Sequence, residues 1–317
     1  MGINLIKAKP KIPKKNQPTL VFVHGAWHGA WCWQEHFIPF FTKNGYECYT
    51  FDLPNHGANK DQKGINQYRI TDYLNHLELV LAQINKPVVL IGHSMGGYII
   101  QKYLEKADCA AAILMMSVPG KPIWRLFFRI LLNQPLTMLK TVATFDLFHL
   151  VNSKKKAAKL LFSEKLSTVK KEIYFKKLGT ESFQVMVFDF LLSKIKKRKN
   201  LAVPMLVQSA EKDNIVSVRE TKQTRRFQQT DYQFFKNLSH DAMLDPKWIL
   251  PARGILNWLG KQFPSQEAIE DLSTKNPILK IQFPDAVQDL IINLGENNEI
   301  DANKTKILGL GQSKRDN

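Results

Sequence analysis

The amino-acid sequence predicts an α/β fold, in which helices flank a mostly parallel β-sheet and a helical segment interrupts the chain between two parts of the sheet. Short apolar runs alternate with stretches of helical periodicity over the first 120 residues, which is typical of successive βα units. Residues 120–200 keep the helical periodicity but show no strand-like alternation. Two further apolar runs follow, so we expect the sheet to continue after this insertion.

Six runs are candidate strands. The first four are β-branched or apolar enough to be buried on both faces, as the strands of parallel sheets are, and each is followed by a loop marked by Gly or Pro. In chain order, the candidates are Thr19–Val23, Tyr46–Phe51, Val88–Gly92, Ala110–Met116, Pro204–Ser209 and Asp231–Phe235.

The spacing of apolar residues predicts helices between these strands and within the insertion. The helices between strands are Trp31–Lys43, Tyr68–Ile84, Met95–Lys106, Val218–Phe227 and Lys247–Lys261. The insertion has helical runs at Trp124–Leu132, Ala157–Leu166 and Phe183–Leu192. Its apolar residues are dense, so we expect it to pack on the sheet or to line a pocket.

These elements divide the chain into four parts. An N-terminal arm covers residues 1–17, an α/β core covers 18–119 and 201–262, a helical cap covers 120–200, and a polar C-terminal extension covers 263–317. The extension is rich in Asn, Asp and Lys, so we expect partial disorder there. The composition, 44% hydrophobic and 23% charged, excludes a wholly disordered or fibrous chain.

The positive charge is concentrated in the cap. The chain has a net charge of +17, and residues 121–200 contain 18 Lys and Arg against five Asp and Glu. Scattered lysines commonly form a solvated face, but a local excess also attracts anionic lipid surfaces. Both interpretations stay open, and a nucleic-acid partner is not expected.

Cysteine usage bears on the compartment. Cys32, Cys48 and Cys109 are odd in number and lack paired spacing, which favours a reducing compartment over a disulfide framework. The N-terminus lacks the apolar run of a secretory signal, and no stretch approaches 18 uninterrupted apolar residues. We therefore expect a cytoplasmic protein. Its basic cap also allows peripheral contact with a membrane.

The candidate nucleophile is Ser94, in the pentapeptide Gly92-His93-Ser94-Met95-Gly96. A G-x-S-x-G pattern is informative here because it lies between a buried strand and a helix. The two glycines permit a sharp turn that lifts the serine hydroxyl above the sheet edge. The helix N-terminus that follows favours developing negative charge.

A serine hydroxyl needs a histidine base, and the base needs a carboxylate that orients it. His240 falls after the last candidate strand and is the candidate base. Asp213, in the loop after the strand beginning at Pro204, is the preferred acid. Glu211 and Asp241 are the competing acids.

An oxyanion hole requires two backbone N–H donors aimed at the developing charge. Met95, the residue after the nucleophile, supplies one candidate donor. Ala26 supplies the other, because the His24-Gly25 turn lets the chain bend inward after the first strand. His24, His28 and Cys32 recur every four residues, but this glycine-rich segment is not a rigid helix and offers no carboxylate, so we expect no metal and no cofactor.

Taken together, these motifs resemble the α/β-hydrolase superfamily over residues 18–262. The resemblance rests on five segments that occur in the family's order, which are HGAWHGAWCW, DLPNHG, GHSMGG, the Asp213 loop and SHDAML. The chain is particularly similar to small cap-bearing bacterial esterases and lysophospholipase-like serine hydrolases, and more distantly to plant methylesterases and hydroxynitrile lyases. The resemblance implies Ser94, Asp213 and His240 as catalytic triad, with Ala26 and Met95 as oxyanion donors.

Departures from some relatives narrow the expected chemistry. Dehalogenases and epoxide hydrolases of this fold carry an aspartate where this chain has Ser94. Similar hydroxynitrile lyases have a threonine where this chain has Gly25, and a lysine soon after the catalytic histidine, where Ala242 and Met243 stand here. Ester hydrolysis is therefore favoured over cyanohydrin cleavage.

The expected function is that of a serine carboxylester hydrolase that works through an acyl-enzyme. The apolar, basic cap suggests a small-molecule ester with an apolar acyl chain, such as a lysophospholipid or monoacylglycerol. Thioester hydrolysis or acyl transfer by the same triad is one alternative. A ligand-binding or interaction protein that retains the triad is another.

Overall fold

The computed structural model describes residues 3–59, 64–120, 124–192 and 194–264. Apart from its first two residues, the predicted C-terminal extension lies outside the described residues. The remaining described chain contains a seven-stranded sheet with helices along the chain, which confirms the predicted α/β class.

The sheet has the strand order β1-β3-β2-β4-β5-β6-β7, in which β1 is antiparallel to β3 and the other neighbours are parallel. Six of the strands agree closely with the six predicted runs. The short edge strand β1 was not predicted and lies in the segment treated as an arm. The strands are β1 Leu5–Ala8, β2 Thr19–Val23, β3 Cys48–Phe51, β4 Val88–His93, β5 Ala111–Met115, β6 Met205–Ala210 and β7 Asp231–Phe235.

The central strands are buried on both faces, as their continuous apolar runs predict. Every residue of β2, β5 and β6 is buried. The carboxyl ends of parallel strands meet at one edge of a sheet, so the loops that follow β2, β4, β6 and β7 come together there. This edge carries the candidate site.

The helices of the core mostly follow the predicted spacing. The predicted helix Trp31–Lys43 is divided in two, since Glu35 and His36 take a turn conformation. The helices between strands are α1 Trp31–Gln34, α2 Phe37–Lys43, α3 Ile70–Leu81, α4 Met95–Tyr103, α10 Val218–Gln228 and α11 Ile249–Gln262, with a short 3₁₀ helix at Ile65–Gln67.

The segment between β5 and β6, called the cap below (residues 124–192), is helical in its described part. Two of its helices, α6 and α8, were not predicted. Its elements are α5 Trp124–Asn133, α6 Pro135–Thr144, a 3₁₀ helix Leu147–Leu150, α7 Lys154–Leu160, α8 Thr168–Phe175, a π-helical turn Gln184–Asp189 and α9 Phe190–Leu192.

Two buried carboxylates of the cap bind the core. Asp189 accepts from the Arg69 Nε–H at 3.0 Å and from the Ile70 N–H at 2.8 Å, at the start of α3. Glu181 contacts His56 Nε2 at 2.9 Å and accepts from the Tyr73 hydroxyl at 2.9 Å. Burial alone would lower the pKa of His56, but the Glu181 charge and hydrogen bond outweigh it and raise that pKa. The cap is therefore joined to the core by a buried ion pair.

None of the helices in the described ranges is long and apolar enough to cross a membrane.

Candidate active site

Ser94 lies at the junction of β4 and α4 in a strained backbone conformation. Its φ is 51° and its ψ is −114°, and the residue is 6% exposed. A positive φ at a non-glycine residue costs about 1–3 kcal/mol and persists only where the surroundings impose it. Here they do. A side chain at Gly96 would meet the Val23 carbonyl oxygen at 2.3 Å, and one at Gly92 would meet the Gly96 backbone at 2.6 Å.

The loop after β2 packs directly against this serine. A Cβ at Gly25 would lie 3.0 Å from Ser94 Cβ and 2.8 Å from His93 Nδ1. Glycine at position 25 therefore permits an approach that a larger residue would block. The predicted supporting residues Gly25, Gly92 and Gly96 all lie where the chain segments come closest.

Both predicted oxyanion donors are buried with their N–H groups unused. Ala26 is 4% exposed and Met95 is 0% exposed. Within the described ranges, neither backbone N–H donates to a protein acceptor. Since buried N–H groups are normally paired, two unpaired ones beside a strained serine indicate a site for an acceptor that the protein itself does not supply.

His240 and Asp213 form a direct pair. His240 Nδ1 lies 2.8 Å from Asp213 Oδ2, and both side chains are almost wholly buried. The Ile215 and Val216 N–H groups donate to Asp213 Oδ1, each at 2.8 Å, which fixes the carboxylate. Burial alone would lower the pKa of His240, but the charges of Asp213 and Asp241 and the Asp213 hydrogen bond raise it.

The competing acids are occupied elsewhere. Glu211 Oε2 accepts from the Asn237 N–H at 2.9 Å on an exposed turn. Asp241 Oδ2 contacts His28 Nε2 at 2.9 Å. Of the three candidate acids, Asp213 is therefore the one whose carboxylate contacts His240 Nδ1.

His93 links Ser94 to the loop after β7 that carries His240 and Asp241, called the histidine loop below. Its Nε2 donates to the His240 carbonyl at 3.0 Å, and the two rings lie 4.7 Å apart. Burial lowers the pKa of His93 to about 3, so this ring is neutral. No hydrogen bond joins Ser94 Oγ to His240 among the described residues, a contact that is often long in ligand-free sites and tightens with substrate.

The cap lies over these loops. The Asp241 N–H donates to the Leu161 carbonyl at 3.0 Å, and the Gly179 N–H donates to the Trp27 carbonyl at 2.9 Å. Trp27 Nε1 also donates to the Leu147 carbonyl at 3.3 Å. The cap therefore contacts both the loop after β2, which carries Ala26 and Trp27, and the histidine loop. His240 is only 2% exposed.

Sequence reasoning missed the partners of His28 and His93. His28 had been weighed only as a metal ligand together with His24 and Cys32, whereas it binds Asp241 and the Ala26 carbonyl. The contact with Asp241 spans 213 positions of the chain. No pattern of local spacing could have indicated it.

Comparison with known proteins agrees with this architecture. Norfluorocurarine synthase 1 of Strychnos nux-vomica is 35% identical over 106 residues, which cover 31% of this chain and 39% of the relative. Methyl jasmonate esterase 1 of Vitis vinifera is 33% identical over 96 residues, covering 29% and 36%. These matches span less than two-fifths of the length of each relative.

Solved structures share the fold over most of the chain. A monoacylglycerol lipase of Paleococcus ferrophilus has a TM-score of 0.60 at 20% identity, covering 83% of this chain and all of that one. Polyneuridine aldehyde esterase has a TM-score of 0.60 at 19% identity, covering 76% and 99%. The model of the alpha/beta hydrolase family matches residues 20–252, and the chain belongs to that family.

Proposed function

We propose that this protein is a serine carboxylester hydrolase with Ser94, His240 and Asp213 as its triad. The observation that carries the proposal is the buried 2.8 Å contact of His240 Nδ1 with Asp213 Oδ2, beside a serine held at a positive φ. A histidine oriented in this way presents its Nε2 as the base that a serine nucleophile requires.

The proposed reaction has two steps. His240 Nε2 takes the proton of Ser94 Oγ as the oxygen attacks the ester carbonyl, and the Ala26 and Met95 N–H groups stabilise the oxyanion. His240 then returns that proton to the departing alcohol, which leaves an acyl group on Ser94. Water attacks the acyl-enzyme with His240 again as base, and the acid is released. Each oxyanion donor contributes roughly 3 kcal/mol to such a step.

The substrate class is proposed from the surroundings of the site. The cap segment that meets the histidine loop is apolar, with Leu161 1% exposed and Phe162 6% exposed. An ester with an apolar acyl group, such as a lysophospholipid or a monoacylglycerol, suits such a cover. The curated relatives named as methyl jasmonate esterase and methylesterase favour methyl esters as a second group to test.

A chain-length series tests activity and pocket together. We expect hydrolysis of p-nitrophenyl esters from acetate to laurate, with kcat/KM rising with acyl length until the pocket is filled. Ser94→Ala should abolish turnover while the circular dichroism spectrum stays unchanged, and a fluorophosphonate probe should label the parent alone. Labelling of another serine, or substantial turnover by the variant, would overturn the proposed triad.

The same acyl-enzyme can be formed from thioesters or resolved by an alcohol. Acyl-thioester and alcohol-acceptor assays on the same preparation separate these reactions from ester hydrolysis. A protein that binds ligands but turns none of them over would instead support the interaction-protein alternative.

The free thiols of Cys32, Cys48 and Cys109 favour a reducing compartment for the reaction.

A second proposal, contact with an anionic membrane surface, is favoured by the outer face of α5 and α6. Leu132 is 81% exposed, Leu136 82% and Leu139 68%, a density of apolar side chains unusual for a solvated helix. The two helices contain no acidic residue, and Arg125 and Lys140 are exposed, whereas Arg129 contacts Glu220 and the Ile215 carbonyl. An apolar face flanked by cations matches the chemistry of an anionic lipid surface.

Vesicle sedimentation tests this contact. We expect binding to anionic but not neutral vesicles at low salt, weakening as the Debye length falls from about 10 Å at 0.1 M. Leu136→Gln with Leu139→Gln should reduce it, and so should replacing Lys154, Lys155 and Lys156 with Ala, or Lys196 and Lys197 with Ala. Arg198 is unsuited to this role because it is buried and donates to the Val203 carbonyl. Equal binding to both vesicle types would rule out the electrostatic contribution.

A further inference from the structure

His28 is a buried histidine that the proposed mechanism does not use. Its side chain is 1% exposed and that of Asp241 is 0% exposed. His28 Nε2 lies 2.9 Å from Asp241 Oδ2, and His28 Nδ1 lies 2.8 Å from the Ala26 carbonyl oxygen. Trp31 stacks on the ring at 5.3 Å, and His93 meets it edge-on at 6.1 Å.

Both nitrogens of His28 face oxygen atoms that only accept hydrogen bonds. A neutral imidazole has one N–H and can satisfy only one of them, whereas an imidazolium satisfies both. The groups facing His28 are the Asp241 carboxylate and the His93 ring, which is itself neutral. Burial alone would raise the pKa of Asp241, but the charge and hydrogen bond of His28 outweigh it and lower that pKa. Asp241 Oδ2 thus accepts a hydrogen bond from His28 Nε2, while His28 Nδ1 faces the Ala26 carbonyl oxygen.

His24 shows the opposite pattern. Its Nδ1 lies 2.8 Å from the Gly25 carbonyl oxygen, and its Nε2 accepts from the Leu53 N–H at 3.0 Å. One acceptor and one donor define a neutral ring with its proton on Nδ1. Burial, with neighbouring histidines, lowers the pKa of His24 accordingly.

His24 binds the Gly25 carbonyl, and His28 binds the Ala26 carbonyl. The Gly25 carbonyl and the Ala26 N–H belong to one planar peptide group, so His24 fixes the direction of that N–H. The Ala26 carbonyl belongs to the next peptide group, which His28 holds. Both torsions of Ala26 are thereby restricted. Asp241, the residue after His240, anchors His28 to the histidine loop.

We propose that His28 is a positioning residue, which holds the Ala26 carbonyl and thereby restricts the torsions that set the direction of the Ala26 N–H. This inference rests on the proposed ester hydrolysis. It predicts an effect on kcat with little effect on KM, because a preorganised donor acts on charge that develops in the transition state.

Two double variants isolate the contact that matters. In an Asp241→Asn background, His28→Asn places an amide N–H near the position of Nδ1 and can still donate to the Ala26 carbonyl. His28→Gln in the same background places its amide near the position of Nε2 and reaches residue 241 instead. The two variants have the same charge and similar polarity, so they separate the contact with the Ala26 carbonyl from the loss of the Asp241 carboxylate.

We expect the double variant with His28→Asn to retain kcat close to that of Asp241→Asn alone. The double variant with His28→Gln should lose about 10- to 100-fold in kcat, less than the loss of a whole oxyanion donor. KM should stay within a few-fold, and inhibition by a trifluoromethyl ketone, which forms a tetrahedral adduct, should weaken in parallel with kcat. Rates are expressed per serine labelled by a fluorophosphonate, so that unfolded protein does not count.

Several results would overturn the inference. Equal kcat values for the two double variants in an active enzyme would refute it while leaving the proposed function intact. A parent that neither hydrolyses esters nor is labelled at Ser94 would refute both.

Discussion

The central strands and the outer cap helices α5 and α6 bury their apolar residues to very different degrees. Leu20, Leu90, Leu114 and Leu206 in the central strands are all 0% exposed. In the cap, Leu132 and Leu136 are more than 80% exposed. The apolar side chains of the central strands are therefore buried within the protein, whereas those on the outer helices of the cap are exposed.

This difference separates two tasks. The strands hold the loops of Ser94, Asp213 and His240 in fixed positions, and close packing suits that task because a small displacement of a reacting group costs rate. The cap is joined to the core by buried apolar residues, such as Phe190 against Tyr98, and by buried polar contacts, including that of Glu181 with His56. The positions of these three side chains are thus set by the sheet, and the cap contacts the loops that carry Trp27 and Asp241.

The largest expected effect concerns the sheet side of the comparison. Asp213→Asn should lower kcat on the order of 10⁴-fold, by analogy with a triad aspartate changed to its amide, because His240 loses the partner that sets its tautomer. Steady-state kinetics with the best p-nitrophenyl ester measures this loss. Asp241→Asn is the control and should cost far less, and the reverse ranking would transfer the acid role to Asp241.

On the cap side, the largest effect on folding is expected at its buried anchor. Glu181→Ala should lower the free energy of unfolding by about 3–5 kcal/mol, because it leaves His56 and Tyr73 buried without their partner. Chemical denaturation monitored by circular dichroism measures the change. Glu172→Ala is the matched control, because Glu172 pairs with Lys154 and Lys176 on the surface of the cap. A similar loss in both variants would show that the buried pair is not a special anchor.

The contrast in leucine burial gives a direct comparison. Leu206→Ala, in β6, should cost about 2–5 kcal/mol of unfolding free energy by creating a cavity. Leu136→Ala, on the exposed face of α6, should change it by no more than about 0.5 kcal/mol. Thermal unfolding of both variants tests this, and a large loss at Leu136 would indicate that α6 is covered in solution, for instance by a second copy of the chain.

The smallest effect is a shift in the pH profile. His240 must be neutral to accept the serine proton, and its pKa is raised above the ordinary value of about 6.5. The activity should therefore fall as the pH drops through a midpoint above about 6.5. Asp241→Asn removes a negative charge near the ring, destabilises the imidazolium and should move the midpoint of kcat/KM to lower pH. An unchanged or higher midpoint would contradict the electrostatic role of Asp241.

Local patterns predicted the strands, the main helices and the serine turn, because these depend on neighbouring residues. The edge strand Leu5–Ala8 carries no strong apolar run and forms only by pairing with β3. Helix α8 was missed because its sequence, TVKKEIYF, interrupts apolar spacing with charge. The contact of His28 with Asp241 forms only when folding brings the loop after β2 next to the loop after β7.

The backbone of Ser94 has a consequence for how this protein can change over evolutionary time. The conformation at φ 51° stores conformational energy that glycine would not have to bear. Ser94→Gly would thus relieve backbone strain at the same position where it removes the proposed nucleophile. If Ser94 is the nucleophile, a substitution that abolishes catalysis at this turn would also remove a cost to folding.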